Sequence, residues 1–405
     1  MKHELTSLFL VIIFLVTFFQ VINIDTESDS TISSQSKEEI VIRSSEKALN
    51  AYIERGNITI LNNTAFGPDG YNFPGMGTSE EPYLIDGYNF TNTFGQTEQG
   101  LIWIEDTDVH FQISNNFING SGKGQKLSGI QLNNVSNGVI FNNEIINNTK
   151  RAIRIRDQCQ DIAVMNNTIH HQQQTISEAG EMIMSLSVKS SQRITIFNNT
   201  LFENDAGILL EGGPTNTTTV SFNNITGGIF GIILLVSCDN NYISGNIVQD
   251  ISDPAFGVGI YLESSSNNEI LNNTVKNSYS YGILLSNGTL DQQYTTIRSK
   301  DNIIKFNNFI DNNISKNQAY DNGTGNLFLN NYWNDHTTPD VDVNGIVDTP
   351  YNIEGFTGNT DAFPLTNEAD FPPVSQFPDT IFNVFLFTVG ILSLSYCLRK
   401  KNKFS

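Results

Sequence analysis

The sequence predicts an all-β solenoid, a parallel β-helix of about 10–12 coils, and three observations carry this prediction. An asparagine returns every 22 to 35 residues with apolar partners at fixed offsets. The same units contain short strands in which apolar residues alternate. Apolar residues at helical spacing of i, i+3 and i+4 are not sustained in this region. A repeat of this length buries its apolar side chains only by stacking on neighbouring units.

The recurring asparagine defines the repeat. Counted from the second Asn of each Asn-Asn pair or its equivalent, the reference positions are Asn116, Asn143, Asn167, Asn199, Asn224, Asn246, Asn273, Asn308 and Asn331. The residue two places later is apolar in eight of nine units, and Thr226 is the exception. The residue three places earlier is apolar in seven, with Ser221 and Lys305 as exceptions. Because a corner Asn can hydrogen-bond its counterparts in adjacent coils and tolerates turn dihedrals, we expect a structural role.

The strands begin with a small residue, followed by two apolar residues with one position between them. They are Gly129–Leu132, Ala152–Ile155, Gly207–Leu210, Gly231–Leu234, Gly259–Leu262 and Gly282–Leu285. Alternate side chains of a strand point to opposite faces, so Ile130, Leu132 and their counterparts are predicted to face inward. Each coil is then two or three short parallel strands, about 4.8 Å from the next coil.

An apolar stretch is present near each end of the chain, and both stretches are predicted to lie outside the solenoid. Residues 5–24 are almost wholly apolar and follow Lys2, which is typical of a secretory signal or an anchor. A second apolar stretch near the C-terminus precedes a basic tail, which is typical of a membrane span with a cytoplasmic end. The predicted segments are 1–24 (signal peptide or signal anchor), 25–56 (polar linker and start of the domain), 57–366 (ectodomain), 367–380 (stalk linker), 381–398 (transmembrane helix) and 399–405 (basic tail). The predicted location is the cell membrane, with the ectodomain outside the cytoplasm.

The amino-acid composition limits the kinds of partner that the protein is expected to bind. With 42 acidic against 22 basic side chains, the net charge is −20, which disfavours nucleic acid and attracts cations. Membrane lipid, through the C-terminal helix, and glycans or other surface proteins are the predicted partners. Cys159 and Cys238 occupy one corner about three coils, or roughly 14 Å, apart, which is too far for a disulfide. Both are predicted to be buried thiols.

Fourteen Asn-x-Ser/Thr sequons are present, and an extracytoplasmic location favours the glycosylation of some of them. The candidates are Asn57, Asn89, Asn119, Asn216, Asn287 and Asn322.

Two segments resemble right-handed parallel β-helix surface proteins of the NosD-like and CASH (carbohydrate-binding and sugar hydrolase) type. They are ILNNTAFGPDGYNFPGMGTSEEPYLIDGYNF at 60–90 and NLFLNNYWNDHTTPDVDVNGIVDTPYNIEG at 326–355. The resemblance covers about residues 57–366 and implies a right-handed helix in an extracytoplasmic setting. It does not imply one activity, because a fold does not determine function.

The second of these segments contains a candidate calcium loop, D-x-D-x-N-G-x-x-D. Its predicted oxygen ligands are Asp340, Asp342, Asn344, the carbonyl of Ile346, and Asp348. Tyr351 stands where an EF-hand has its bidentate glutamate, so the loop is not an EF-hand. The alternatives are a structural calcium site and an isolated acidic turn.

The outward positions of the strands form a candidate substrate face. Arg154, Arg156 and Tyr261 are the candidate substrate-binding residues. Glu211 and Glu263 are the catalytic candidates, because about two coils, near 9–10 Å, would separate them, at the upper edge for an inverting carboxylate pair. The alternative is that a loop covers the apolar residues here and that water solvates the charges. No polygalacturonase signature of the G-H-G or R-I-K type is present, nor did we find a lyase-type pattern.

Copper is the remaining candidate ligand. His170, His171, Met182 and Met184 could supply imidazole and thioether ligands. Their spacing is not that of a tight ligand set, so a loop and core role is the preferred interpretation.

The first functional hypothesis is a membrane-anchored β-helix that serves surface presentation or glycan binding without catalysis. The alternative is a polysaccharide-active enzyme of the glycoside hydrolase or lyase type, and the second alternative is NosD-like copper handling.

Overall fold

The computed structural model describes residues 52–91, 100–120, 128–149, 151–172, 184–289, 296–313 and 316–369, all in the structural unit that begins at residue 51. The predicted segments 1–24, 381–398 and 399–405 lie outside these residues. Within the described ranges, no helix is long and apolar enough to cross a membrane.

Each coil contributes one strand to each of three sheets, and the coil-to-coil pairing is parallel. The first sheet contains Ile53–Arg55, Tyr88–Thr91, Phe117–Asn119, Glu144–Ile146, Thr168–His170, Thr200–Phe202, Asn224–Thr226, Ile247–Gln249, Thr274–Lys276, Asn308–Ile310 and Tyr332–Trp333. The second contains Ile58–Ile60, Ile102–Thr107, Ile130–Val135, Arg151–Arg156, Met184–Lys189, Ala206–Glu211, Phe230–Leu235, Val258–Glu263, Tyr281–Thr289, Thr296–Arg298 and Ala319–Asp321. The third contains Tyr83–Asp86, Phe111–Ser114, Gly138–Phe141, Gln160–Met165, Gln192–Phe197, Thr219–Ser221, Tyr242–Ser244, Glu269–Leu271, Ile303–Lys305, Leu327–Leu329, Tyr351–Asn352 and Thr360–Asp361. The architecture is the predicted parallel β-helix.

Departures from the coil pattern lie at its edges. A 3-10 helix, Asn63–Phe66, places Phe66 in the core of the first coils. Two short hairpins are antiparallel, 287–289 with Thr296–Arg298 and Tyr351–Asn352 with Thr360–Asp361. The first strand, Ile53–Arg55, lies in the predicted segment 25–56, and Ala369, in the predicted segment 367–380, exchanges two hydrogen bonds with Asn308.

The inward positions form one continuous core. Ile232 and Leu234 are fully buried, and they pair in register with Ile208 and Leu210 one coil earlier. The other predicted inward pairs are also fully buried, at 130/132, 153/155, 260/262 and 283/285. Each such aliphatic side chain stabilises the stack by about 1.5–3 kcal/mol through burial. The predicted strand orientation is confirmed.

A ladder of buried asparagines runs along the corner between the third and first sheets. Asn167 shows the unit: its Nδ2 donates to Ile140 O and to Asn199 Oδ1, each at 3.0 Å. Its own Oδ1 accepts from the backbone N and the Nδ2 of Asn143, at 3.0 and 2.9 Å. Every polar atom of the amide is therefore satisfied inside the core. The ladder comprises Asn116, Asn143, Asn167, Asn199, Asn223, Asn246, Asn273, Asn307 and Asn331.

Two reference positions from the sequence were wrong by one residue. The ladder uses Asn223 and Asn307 rather than Asn224 and Asn308. The residue before each ladder Asn has a left-handed backbone, usually Asn, but in these two coils Phe222 and Phe306 take it at φ 56°. The Asn-Asn pair is therefore shifted along the coil.

With this register, all nine units are apolar and buried both two places after and three places before the ladder Asn. The positions that had looked exceptional become Ile225, Val220 and Ile304, all within 1% of full burial.

Buried aspartates end two of the amide ladders. Asp361, fully buried, accepts from the backbone N and the Nδ2 of Asn331 at 2.9 and 3.0 Å. Asp321, 1% exposed, accepts from Asn326 Nδ2 at 2.9 Å at the end of a second ladder. A carboxylate accepts without donating, so it ends a ladder without needing a further amide beyond it.

The two cysteines lie as predicted. Cys159 and Cys238 are free and buried at the corner that follows the second sheet, three coils apart. Burial is the main cause that raises the pKa of Cys159 to about 11 and that of Cys238 to about 12, so both remain thiols at neutral pH.

Candidate functional site

A groove of about 660 Å³ lies over the outer face of the second sheet, and we call it the second-sheet groove. The outer face of this sheet carries three rows of side chains held in register by the parallel strands, and members of all three rows line the groove. The rows are Arg151, Met184, Ala206, Phe230, Val258, Tyr281; Arg154, Ser187, Leu209, Ile233, Tyr261, Leu284; and Arg156, Lys189, Glu211, Leu235, Glu263, Ser286. Consecutive members of a row are about 4.8 Å apart, so the floor from Arg154 to Tyr261 is roughly 19 Å long.

The end of the groove that comes first along the chain is basic. Arg151, Arg154 and Lys189 line it, and they come from two neighbouring coils. Burial, followed by the nearby charges of Arg151 and Arg156, lowers the pKa of the Arg154 guanidinium. Glu211 also lines the groove, and its Oε1 lies 3.9 Å from Arg151 Nη2.

The middle of the groove is apolar. Leu209 and Ile233 point outward, yet they are only 5% and 3% exposed, because they pack with Phe230, Met184 and neighbours in a separate outer cluster. That a loop covers these residues stays a prediction, because the buried members of this cluster all belong to strands of the second sheet. The groove remains open above them.

Tyr261 lies at the end of the groove opposite the basic residues. Its hydroxyl donates to Glu263 Oε2 at 2.5 Å and lies 2.9 Å from Ser286 Oγ. Burial, followed by the carboxylate of Glu263, raises the pKa of Tyr261 to about 12. The phenol therefore stays protonated at neutral pH, and its ring stacks on Phe230 with centroids 5.7 Å apart.

Four of the five residues that the sequence proposed for this face line the groove: Arg154, Glu211, Tyr261 and Glu263. Glu211 and Glu263 are two coils apart, through Leu235, as predicted. Arg156 is not in the lining, and its Nε donates to Asp157 Oδ2 at 2.5 Å.

Several residues that line the second-sheet groove were not predicted from the sequence. Lys189 belongs to the strand Met184–Lys189, where Ser185-Leu186-Ser187-Val188 has the small-then-alternating pattern, with serine as the small residue. That signal was present and could have revealed the coil. Phe256, 56% exposed, stands in the loop before the strand Val258–Glu263, and no pattern predicted its approach to Phe230.

The predicted glycosylation candidates differ in accessibility. Asn57 is exposed, and Asn119, Asn216, Asn287 and Asn322 are half-buried. Asn89 is 7% exposed, and its Nδ2 donates to Glu54 Oε1 at 2.6 Å. Folding therefore covers the atom of Asn89 that a glycan would use, because this strand residue faces a neighbouring coil.

The structure describes three of the four copper candidates, His170, His171 and Met184. His170 and His171 lie at the end of a strand of the first sheet, with their Nδ1 atoms 2.6 Å apart. Met184 is 1% exposed in the outer cluster of the second sheet, and Met182 lies outside the described residues. In the part of the chain that the structure covers, no group of three or more His, Cys, Asp or Glu is placed to hold a metal ion.

The candidate calcium loop is held by its own hydrogen bonds. Asp340 accepts from the backbone N atoms of Asn344 and Gly345 at 3.1 and 3.0 Å. Asp342 accepts from Asn344 Nδ2 at 3.0 Å, and Asp348 accepts from Val341 N at 2.7 Å. The Asp carboxylates therefore already have partners within the turn. Calcium binding stays a prediction.

If the loop binds calcium, millimolar calcium should raise the melting temperature and chelator should lower it, because a ligand of the folded form alone stabilises it. The double change Asp340→Ala and Asp342→Ala should abolish that response in a melting experiment. Asp301→Ala removes a carboxylate outside the loop and should leave the response of the melting temperature to calcium unchanged. Melting that is indifferent to calcium and chelator would leave only an acidic turn.

Comparisons with known proteins agree on the fold. Residues 172–360 match the model of the family described as periplasmic copper-binding protein (NosD), and residues 54–225 match the right-handed beta helix region. These matches and the three parallel sheets confirm the predicted right-handed parallel β-helix. A search of curated proteins found no match.

Similar solved structures include three sugar-active proteins. The A-module of a mannuronan C-5 epimerase from Azotobacter vinelandii has a TM-score of 0.45 at 12% identity, over 62% of this chain and 74% of that one. DFA-IIIase from Arthrobacter chlorophenolicus has a TM-score of 0.41 at 11% identity, over 76% and 78%. A mannuronic acid specific polysaccharide family 6 lyase from human gut microbiota has a TM-score of 0.35 at 12% identity, over 72% and 83%. At these identities the likeness concerns the fold alone.

Proposed function

We propose that this right-handed parallel β-helix protein binds a glycan in the second-sheet groove without catalysing a reaction on it. The protein presents that groove outside the cytoplasm. The observation that carries the proposal is the composition of the groove, in which an aromatic wall and hydrogen-bonding side chains line one long open floor. Sugar rings have apolar C–H faces and polar rims, so they need both kinds of surface at once.

The aromatic wall is arranged for stacking. Phe230 stacks with Tyr261, and Phe256 lies 5.7 Å from Phe230 between ring centroids. More than half of Phe256 is exposed, so one of its faces is available to a ligand. Such an aromatic residue at the edge of a groove contributes affinity with little loss of side-chain entropy.

The protonation of Tyr261 does not suit the role of a general base. Tyr261 is held protonated by burial and by Glu263, so it does not supply the ionised phenol that a tyrosine base requires. Its hydroxyl also occupies one oxygen of Glu263.

Catalysis is the second candidate function. The observation that favours it is that Glu211 and Glu263 line one groove two coils apart, near the ~9.5 Å upper limit for an inverting pair. A polysaccharide-active enzyme would release shortened or chemically altered chains, whereas a binding protein would not.

Membrane attachment is part of the same proposal. The apolar segments 1–24 and 381–398 and the basic tail support an ectodomain outside the cytoplasm, and protease digestion of intact cells tests it. Surface presentation of the groove by a membrane anchor would place it where extracellular glycans occur. NosD-like copper handling remains a further alternative, which the family match at 172–360 supports.

The proposal is tested with the full-length chain, kept in detergent, on a glycan array. We expect binding to defined glycans, and we expect Phe256→Ala to weaken it about tenfold, because stacking is lost. Phe363→Ala removes a comparably exposed phenylalanine outside the groove and should leave binding unchanged. Absence of glycan binding would refute the proposal, and shortened products after incubation with bound glycans would favour the enzyme.

A further inference from the structure

We infer that Trp103, Gln131 and Asn133 form a second sugar-binding subsite, which continues the second-sheet groove toward the first coils and binds hydroxyl groups of the same glycan. This inference rests on the proposed function and specifies how much of the glycan the protein holds.

The three side chains lie on the outer face of the second sheet, in two adjacent coils. The strands Ile102–Thr107 and Ile130–Val135 pair in parallel, with Trp103 opposite Gln131. Coil spacing separates their backbones by about 4.8 Å. Gln131 and Asn133 are two residues apart in one strand, so their side chains leave the same face about 7 Å apart. One sugar ring can therefore reach all three side chains.

Each of these side chains ends in a buried polar atom that lacks a partner. Within the described ranges, Trp103 Nε1, Gln131 Oε1 and Asn133 Oδ1 are buried without a hydrogen bond. The whole of Gln131 is only 6% exposed. A buried polar atom without a partner costs about 1–3 kcal/mol, so native structures keep few of them. Three such atoms at one place indicate a site that another molecule completes.

The unpaired atoms indicate a ligand with hydroxyl groups. Gln131 Oε1 and Asn133 Oδ1 accept hydrogen bonds, and Trp103 Nε1 donates one. An ionised carboxylate or sulfate only accepts, so it would leave both amide oxygens unpaired. A sugar hydroxyl both donates and accepts, so neighbouring hydroxyls of one ring can satisfy all three atoms. The indole ring also offers an apolar surface to the C–H face of that sugar.

The subsite is continuous with the second-sheet groove. Gln131 pairs with Arg154, which lines the groove, so Trp103, Gln131 and Arg154 are consecutive members of one row. From Trp103 to Tyr261 this row covers six coil steps, roughly 29 Å, whereas it covers roughly 19 Å from Arg154. Trp103 and Asn133 are half-buried, so the subsite keeps contact with solvent. An extended glycan can therefore occupy the groove and the subsite together.

The experiment measures the affinity of the full-length chain, kept in detergent, for two oligosaccharides cut from one glycan that binds on the array. One spans roughly 19 Å and the other roughly 29 Å. We expect the longer one to bind more tightly to the parent. Gln131→Leu should weaken binding of the longer oligosaccharide about fivefold, the loss expected for one hydrogen bond, and should abolish its advantage over the shorter one.

The melting temperature separates a ligand site from a structural role. Leucine replaces an unpaired buried amide by an apolar side chain of similar size, which removes a cost of desolvation. The melting temperature of Gln131→Leu should therefore equal or exceed that of the parent. A lower melting temperature with unchanged affinity would overturn the inference, because the amide would then serve the fold. A higher melting temperature with unchanged affinity would also overturn it, because water alone would then fill the site.

Two further variants complete the test. Trp103→Phe keeps an aromatic ring and removes the N–H donor, so it should weaken binding of the longer oligosaccharide even if Gln131→Leu fails to fold. Gln112→Leu makes the same substitution at a half-buried position in the strand that follows Trp103, on the third sheet. It should leave both affinities unchanged. An equal loss of affinity in Gln112→Leu would contradict the subsite.

The outcomes separate this inference from the function on which it rests. Glycan binding that depends on Phe256 but on neither Gln131 nor Trp103 would overturn the subsite and leave glycan binding in the groove intact. Failure of every glycan on the array would overturn the proposed function itself.

Discussion

Replacing the buried ladder residue Asn223 by alanine is expected to lower the free energy of unfolding by about 3–5 kcal/mol. Its Nδ2 donates to Ile196 O and Asn246 Oδ1 at 2.9 and 3.0 Å, and its Oδ1 accepts two hydrogen bonds from Asn199 at 2.9 Å. Alanine would leave these donors and acceptors unpaired in a core that water does not reach.

The matched control is the next residue. Asn224 is exposed and makes only backbone bonds in the stack, so Asn224→Ala should cost less than about 1 kcal/mol. Chemical denaturation of both variants and the parent measures the difference. A larger loss for Asn224→Ala would mean that the ladder follows the second Asn of the pair after all.

The Ile304→Asp substitution should lower the free energy of unfolding by more than about 4 kcal/mol, because it buries an unpaired charge between stacked coils. Ile304 is fully buried and pairs with Ile270 and Phe328 in the coils on either side. Ile303, its neighbour in the same strand, faces outward and is 36% exposed.

Ile303→Asp makes the same chemical change on the other face of the strand and should cost less than about 1 kcal/mol. Thermal melting of the two variants beside the parent gives the comparison. Similar melting temperatures for both variants would refute the assignment of inward and outward positions in the third sheet.

The fold was predictable because its signals are local and repeated. Alternation along Gly231–Leu234 is enough to orient Ile232 and Leu234, and the length of the repeat leaves stacking as the only way to bury them. The prediction that Asn224 rather than Asn223 is the ladder residue was wrong for a specific reason. Sequence shows two adjacent asparagines, but backbone conformation decides which one turns inward, and Phe222 took the left-handed position that Asn usually fills.

The candidate site was predictable in part. Strand register placed Arg154, Tyr261, Glu211 and Glu263 on one face without knowledge of the loops. The same alternation places Gln131 on the outer face, yet its side chain is only 6% exposed, because alternation gives the direction of a side chain and not what lies above it. Phe256 lines the groove from a loop, and the periodicity that predicts side-chain direction in a strand does not apply to a loop.

The sequence by itself determined the stacked coils, the inward aliphatic side chains, the buried thiols and the structural role of the corner asparagines, because each depends on neighbours in the chain or on an equivalent residue one repeat away. Only the tertiary structure decided that Asp361 caps the Asn ladder and that Phe256 lies against Phe230. These contacts join residues at unequal separations along the chain, so no repeated pattern encodes them, and only the packing of the folded coils brings them together.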